Sequence, residues 1–213
     1  MKEEKMSKQL NLMRIGERLI VEGPLHNNPY LIDIGLFQGN SAITILKWWE
    51  SKGVTNATGV GYDPQKETCS IATIKAKKAE VNLVTFNKGV SWLGGETILN
   101  LYDESDSASL FKRQQDIFNS QDTIKVCSFQ EVMDSWEYID LLTMNAEGIE
   151  FQILASLTSA MAKKIRQISA ELHFDIKDSF LLSKGLSNLE KVGYKVIVIS
   201  LGSKHASLVA YKE

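Results

Sequence analysis

The stretch Leu31-Ile32-Asp33-Ile34-Gly35-Leu36-Phe37-Gln38-Gly39-Asn40 decides the fold. Residues 30–34 read as a short buried strand broken by one acid, and Gly35 and Gly39 follow directly. An apolar-periodic helix then begins, carrying Ile43, Ile45, Leu46, Trp48 and Trp49. Strand, glycine turn and helix together bring backbone N–H groups to a nucleotide-like ligand at the carboxyl end of a parallel strand. A Cβ in that turn would obstruct the ligand or forbid a positive φ. Two glycines between a strand and a helix are also ordinary turn chemistry, so weight falls on Asp63, in Gly59-Val60-Gly61-Tyr62-Asp63-Pro64. It ends a second apolar run about thirty residues on, where an acid can accept both hydroxyls of a ribose.

The same alternation continues outward from this unit. Residues 55–63 form the expected second strand, with a helix from Pro64 to about Ala79. A third strand spans 81–86 and ends in Asn87-Lys88-Gly89. Strand–helix alternation at this spacing predicts an open parallel sheet with right-handed crossovers. It resumes with a strand over 138–144 ending in Asn145-Ala146-Glu147-Gly148, a helix over 149–157, and a strand over 165–172 leading into His173. A helix through Leu181, Leu182, Leu186 and Leu189 stops near Gly193, and strands over 194–201 and 207–211 close the sheet as an antiparallel pair. At the other end, Leu10, Leu12, Met13, Ile15, Leu19 and Ile20 predict an amphipathic helix over 5–22, within a helical extension reaching residue 25. Between 88 and 122 the pattern loosens, with Gly94-Gly95, a candidate strand over 97–102 and a polar patch over 103–107. An uncovered loop of that length reads as a lid or acceptor-binding loop, or as a disordered surface insertion. A short strand over 123–128 and a short helix over 129–133 follow it.

The 213 residues, 44% hydrophobic and 23% charged, suit one well-buried core, so a single domain over 1–213 is expected. A net charge of −2 provides no global basic field for nucleic acid or an anionic membrane. Cys69 and Cys127 lack metal-ligand spacing, which points to a reduced, cytoplasmic setting. No apolar stretch of the signal-peptide kind follows Met1-Lys2-Glu3-Glu4-Lys5, and no run is long enough to span a bilayer.

Three strings carry a family resemblance: Leu31 to Ser41 with its two glycines, the pair Asp63-Pro64, and above all Ile139-Asp140-Leu141-Leu142-Thr143-Met144-Asn145-Ala146-Glu147-Gly148-Ile149-Glu150. They resemble the FkbM-type methyltransferases, and Glu171-Leu172-His173 is similar to the Glu-x-His that ends the next strand in that family. The resemblance runs in order over roughly residues 30–175. It implies an α/β, Rossmann-like class I methyltransferase fold. That fold has a seven-stranded, mostly parallel sheet with one antiparallel strand, helices on both faces, and S-adenosylmethionine bound at the strand ends. Members mostly methylate hydroxyl groups of sugars or secondary metabolites, and a few act on peptide side chains. Carried over, Asp33, Gly35 and Gly39, with Leu36 and Phe37 between them, match the loop that holds the amino-acid part of the cofactor. Asp63 matches the acid that takes the ribose hydroxyls, more often Glu in the family, and Asn87 stands where an adenine contact is expected. Glu147 matches the Glu of Asp-x-Glu-Gly, with Asn145 replacing the Asp, and Leu36-Phe37 replace a common Ala-Asn.

Methyl transfer from a sulfonium is an in-line displacement in which positioning supplies much of the rate. A hydroxyl acceptor also needs a base for its proton. His173 is the first candidate, since it alone of three histidines ends a central strand, with Glu171 on the same face. Glu147, ending the neighbouring strand, is the second. The plain readings are a structural histidine and an acid favoured at a helix N-terminus. Convergence of Asn145, Glu147, Glu171 and His173 on a metal ion matches no ligand signature, so no metal is expected. Trp92 is a candidate sugar platform. The expected function is methylation of a sugar or small-molecule hydroxyl, without nucleic-acid or membrane partners. The alternatives are N-methylation of a peptide side chain and a catalytically weak binding module, the latter motivated by Asn145 and Leu36-Phe37. A nicotinamide dehydrogenase would need the third glycine of Gly-x-Gly-x-x-Gly, which is missing.

Overall fold

A computed structural model describes residues 11–101, 108–109, 120–174, 180–202 and 204–212. The chain opens with β1 (Leu12–Ile15) and β2 (Arg18–Val21), then β3 (Tyr30–Ile34), α1 (Asn40–Ser51), β4 (Thr58–Asp63), α2 (Lys66–Lys78) and β5 (Leu83–Asn87). Next come β6 (Gly89–Ser91), β7 (Gly95–Leu101), β8 (Ala108–Ser109), β9 (Ser120–Ser128) and α3 (Phe129–Asp134). The last part holds β10 (Ile139–Met144), α4 (Glu150–Ser156), α5 (Ser159–Lys164), β11 (Ile165–His173), α6 (Leu182–Lys191), β12 (Lys195–Ser200) and β13 (His205–Tyr211).

Seven strands form one sheet in the order β12-β13-β11-β10-β3-β4-β5, and β13 alone runs antiparallel to its neighbours. Its central strands are apolar on both faces because helices cover both. Ile32, Ile34, Leu142 and Met144 join one core with Phe129 of α3, Phe151 and Leu154 of α4, Met161 of α5 and Leu189 of α6. Leu31 and Leu141, one position out of phase, join Ile45, Leu46 and Trp49 of α1 and Ala72 and Ala76 of α2. The sheet and its closing antiparallel pair match the sequence expectation.

The start of the chain does not. The predicted helix over 5–22 is, from residue 11 onward, the antiparallel hairpin β1–β2, while residues 5–10 lie outside the described set. A helix would have carried Gly16 in its interior, at a cost of about 1 kcal/mol relative to Ala. In the hairpin, Gly16 takes φ +59 in a two-residue turn with Glu17, the conformation such turns demand. The hairpin packs on the sheet: Leu19 and Val21 meet Val209 and Tyr211, and Val21 N–H donates to Gln167 Oε1.

In the segment 88–122, the candidate strand over 97–102 is β7 (Gly95–Leu101), and it is not an isolated strand in a loop. The described parts of the segment form a second sheet, in the order β6-β9-β7-β8, with β7 antiparallel to β9 over its whole length. The polar patch over 103–107 lies outside the described residues.

At the middle of the large sheet, three strand tips are tied together. Gly35 N–H and Leu36 N–H both donate to Tyr62 O at 3.0 Å, and Asn145 N–H donates to Ile34 O at 2.9 Å. Gly35 has φ +79, and a Cβ there would lie 1.9 Å from Asn145 O. Gly53, after α1, has φ +87 but open space around it. Gly53→Ala should therefore cost only about 1 kcal/mol of stability for the left-handed backbone. Gly35→Ala should cost at least about twice that in the same urea titration, because a backbone atom must also move; equal losses would show that the tips yield freely.

Candidate active site

A cavity of about 430 Å³ opens at the carboxyl ends of β3, β4 and β10, a size suited to a small-molecule ligand. Gly35, Leu36, Phe37, Asp63, Asn145 and Glu147 all line it. Val90 of β6 and Leu99 of β7 close it from the second sheet, so the inserted strands form part of the wall.

Asp63 is buried at the end of β4, and its carboxylate organises the turn opposite. Oδ1 accepts hydrogen bonds from Gln65 N–H (2.9 Å) and Thr68 Oγ1 (2.8 Å), and Oδ2 accepts one from Phe37 N–H (2.8 Å). Burial pushes its pKa above the usual carboxylate range, and those same bonds pull against the shift. Two oxygens offer about four acceptor positions, so Oδ2 keeps one for a ligand hydroxyl. Phe37 presents its N–H to Asp63 from φ +48, a conformation non-glycine residues rarely take. Leu36 points the other way, into the sheet, where Gly61 makes room: a Cβ at Gly61 would sit 2.5 Å from the Leu36 methyls. The Leu36-Phe37 pair is thus accommodated, and the cavity stays open beside the Phe37 ring.

On the opposite wall, the loop 145–148 is shaped by Glu150. This fully buried carboxylate reaches back to accept from Ala146 N–H (2.6 Å) and Gly148 N–H (2.7 Å). The loop turns through Glu147 at φ +54, whose carbonyl accepts from the Ser109 hydroxyl at 2.7 Å. Behind it, His173 lies between two acids, with Nε2 3.6 Å from Glu147 Oε1 and Nδ1 3.4 Å from Glu150 Oε1. The Nδ1 contact lacks hydrogen-bond alignment and is an ion pair by proximity. Burial alone would favour neutral imidazole, but the bond-distance contact and charge of Glu150, with the charges of Glu147 and Glu171, raise the His173 pKa to about 9.

The remaining expected site residues stand apart from the cavity wall. Asp33 is buried below it, its Oδ1 accepting from Thr143 Oγ1 at 2.7 Å; burial raises its pKa against the pull of Arg18 and that bond. Gly39 sits at the start of α1 against Ala72 of α2. Asn87 is exposed and donates to Asp63 O and Pro64 O, bracing the end of β4 against β5. Trp92 is exposed in the turn after β6. Glu171 and His173 lie at the tip of β11, where His205 joins them, its Nδ1 3.2 Å from Glu171 Oε1. Ligand atoms of Glu171, His173 and His205 fall within 4.8 Å of one another, a set that could hold a cation and differs from the one foreseen in the sequence. Positive charge is already supplied there by His173 and by Arg18, whose Nη1 is 3.9 Å from Glu171 Oε2.

Three contributors were not singled out from sequence: Arg18, Glu150 and His205. Glu150 had a local signal, an acid three residues after Glu147 in the matched motif. Arg18 and His205 reach the site only through strand pairing distant in sequence.

The chain matches no protein-family model and no curated protein. Among solved structures, it is similar to methyltransferase FkbM from Methylobacillus flagellatus KT, at 13% identity and a TM-score of 0.58, covering 89% of this chain and 45% of that one. It is also similar to an rRNA methylase from Streptococcus thermophilus, at 6% identity and a TM-score of 0.54, covering 88% of this chain and 89% of that one. A putative rRNA-methylase from Clostridium thermocellum gives 12% identity and a TM-score of 0.50, with 88% of each chain covered. At these identities the likeness establishes the fold: the chain has the Rossmann-like class I methyltransferase architecture.

Proposed function

We propose that this chain is a single-domain S-adenosylmethionine-dependent methyltransferase that transfers a methyl group to a hydroxyl of a sugar or other small molecule. The observation that carries this reading is the shared cavity of Asp63 and the Gly35 turn, at the strand tips where the fold places a nucleoside ligand. The residues present suit the cofactor. Asp63 Oδ2 has an acceptor position for the ribose diol, and Tyr62, Val90 and Leu99 offer apolar surface for the base. Across the cavity, Asn145 Oδ1 is buried without a partner and can accept from an ammonium group.

The bound cofactor supplies an electrophilic methyl on a sulfonium. The chain's own work is to hold the acceptor oxygen in line with that methyl and to take its proton. Glu147 is the group we assign to the proton: its carboxylate lines the cavity, whereas His173 is buried behind it and is charged at neutral pH. His173 then acts as a positioning residue, its imidazolium drawing Glu147 and Glu150 to their places. Glu17, Asp63 and Glu147 line the cavity against one cation, Arg18, which supports a neutral or cationic small acceptor over a polyanion.

Calorimetry with S-adenosylhomocysteine should show binding, weakened roughly 10- to 100-fold in Asp63→Ala; silence at millimolar ligand would overturn the proposal. A labelled-methyl screen over sugars, phenols, peptides and RNA identifies the acceptor class, and transfer to RNA alone would reject the small-molecule assignment. With the acceptor found, Glu147→Gln should lower turnover about 100- to 10,000-fold while cofactor affinity holds.

The His173 environment predicts a pH signature. Its folded pKa of about 9 exceeds the ordinary 6.5, so its contribution is complete below pH 6.5 and is lost as pH rises through 9. The shift corresponds to roughly 3 kcal/mol. Denaturant titrations at pH 6, 7.5 and 9.5 should show wild type losing that advantage over His173→Gln across the window; parallel curves would place a neutral imidazole in the fold.

A further inference from the structure

Arg18 is the first residue of β2, beside the Gly16-Glu17 turn of the N-terminal hairpin. It is 3% exposed, and its Nε and Nη1 are buried without a hydrogen-bond partner. Among the described residues, Glu171 comes to 3.9 Å from Nη1 and the buried Asp33 carboxylate feels the Arg18 charge from farther off, but neither hydrogen-bonds Nε or Nη1 of this five-donor guanidinium. A buried charge left in that state is costly unless something completes its shell. Arg18 nevertheless lines the cavity.

What surrounds it narrows the ligand. The hairpin turn abuts α1 near its start, since a Cβ at Gly16 would meet the Thr44 side chain at 3.7 Å. α1 is 12 residues long and has no side-chain hydrogen bond at its N-cap, and Asn40 and Ser41 of its first turn line the cavity with Arg18. An uncapped helix N-terminus and a guanidinium fork facing one space both favour an anion, and the fork favours a planar, two-oxygen anion. In the same corner, Asn145 follows Met144, whose register partner Ala170 precedes Glu171. The buried, unpartnered Oδ1 of Asn145 is an acceptor suited to a neighbouring ammonium. Donors for a carboxylate and an acceptor for an ammonium, lining one cavity, describe a site for the head of an α-amino acid.

We propose that Arg18, presented by the N-terminal hairpin and backed by the start of α1, binds the carboxylate at the amino-acid end of the cofactor. The assignment rests on the function proposed above and adds a specificity residue to it. It makes the hairpin a part of the binding site rather than a cover for the sheet.

Two measurements test it by calorimetry. Wild-type protein should bind S-adenosylhomocysteine roughly 10- to 100-fold more tightly than the same compound without its carboxylate, a comparison that needs no variant. Arg18→Met should lose a similar factor for S-adenosylhomocysteine yet bind 5′-methylthioadenosine, which has no amino-acid end, within about twofold of wild type. Arg18→Lys should recover part of the loss. Equal wild-type affinity for the carboxylated and decarboxylated compounds overturns the Arg18 assignment and leaves the methyltransferase reading standing. So does an equal loss for both nucleosides in a folded Arg18→Met. Absence of binding by either nucleoside to wild type rejects the underlying function and this assignment with it.

Discussion

The close approach of three strand tips is the constraint on which the rest of the molecule depends. Two N–H groups of the β3 turn share the carbonyl of Tyr62, and the end of β10 closes onto Ile34 from the other side. Gly35 is the point where the chains would collide if any side chain were present. With the tips held at this spacing, Asp63 and loop 145–148 face each other across a gap that side chains do not fill. The cavity is thus a product of backbone geometry, and its walls inherit the rigidity of the sheet.

Charge is arranged around that gap in layers. Asp63 is satisfied mainly by its own turn, and Glu150 by the backbone of the loop that it folds around itself. Both are buried carboxylates whose hydrogen bonds offset the loss of water. His173 lies farther back, between two acids that would otherwise repel one another, while Arg18 lines the cavity with Glu171 beside it. A positive group thus sits beneath a negative wall.

Much of this could be read from the chain directly. Residues 30–34, 58–63, 139–144 and 165–173 announce themselves because each is a largely apolar run ended by glycine or a polar residue, and Asp63 stands where the second run stops. The hairpin was hidden because Leu12, Met13, Ile15, Leu19 and Ile20 satisfy a helical face as well as two short strands, leaving Gly16 the only dissenting residue. The strands over 97–102 and 123–128 were legible, but their joining into a second sheet was hidden because β7 carries few buried positions and draws its order from pairing with β9, which no local period records. His173 ended the expected strand, but its place behind Glu147 is set by the reach of Glu150 from a helix on another face. Side-chain reach of that kind is a property of packing and leaves no spacing to detect.

The hydroxyl of Ser109 is the described hydrogen bond from the inserted strands to the backbone of Glu147. The insertion therefore meets the site at the Glu147 carbonyl and along the apolar wall of Val90 and Leu99, while Asp63 and the Gly35 turn belong to the parent sheet. A change at Val90 or Leu99 would reshape the wall of the site without disturbing the strand tips beneath it.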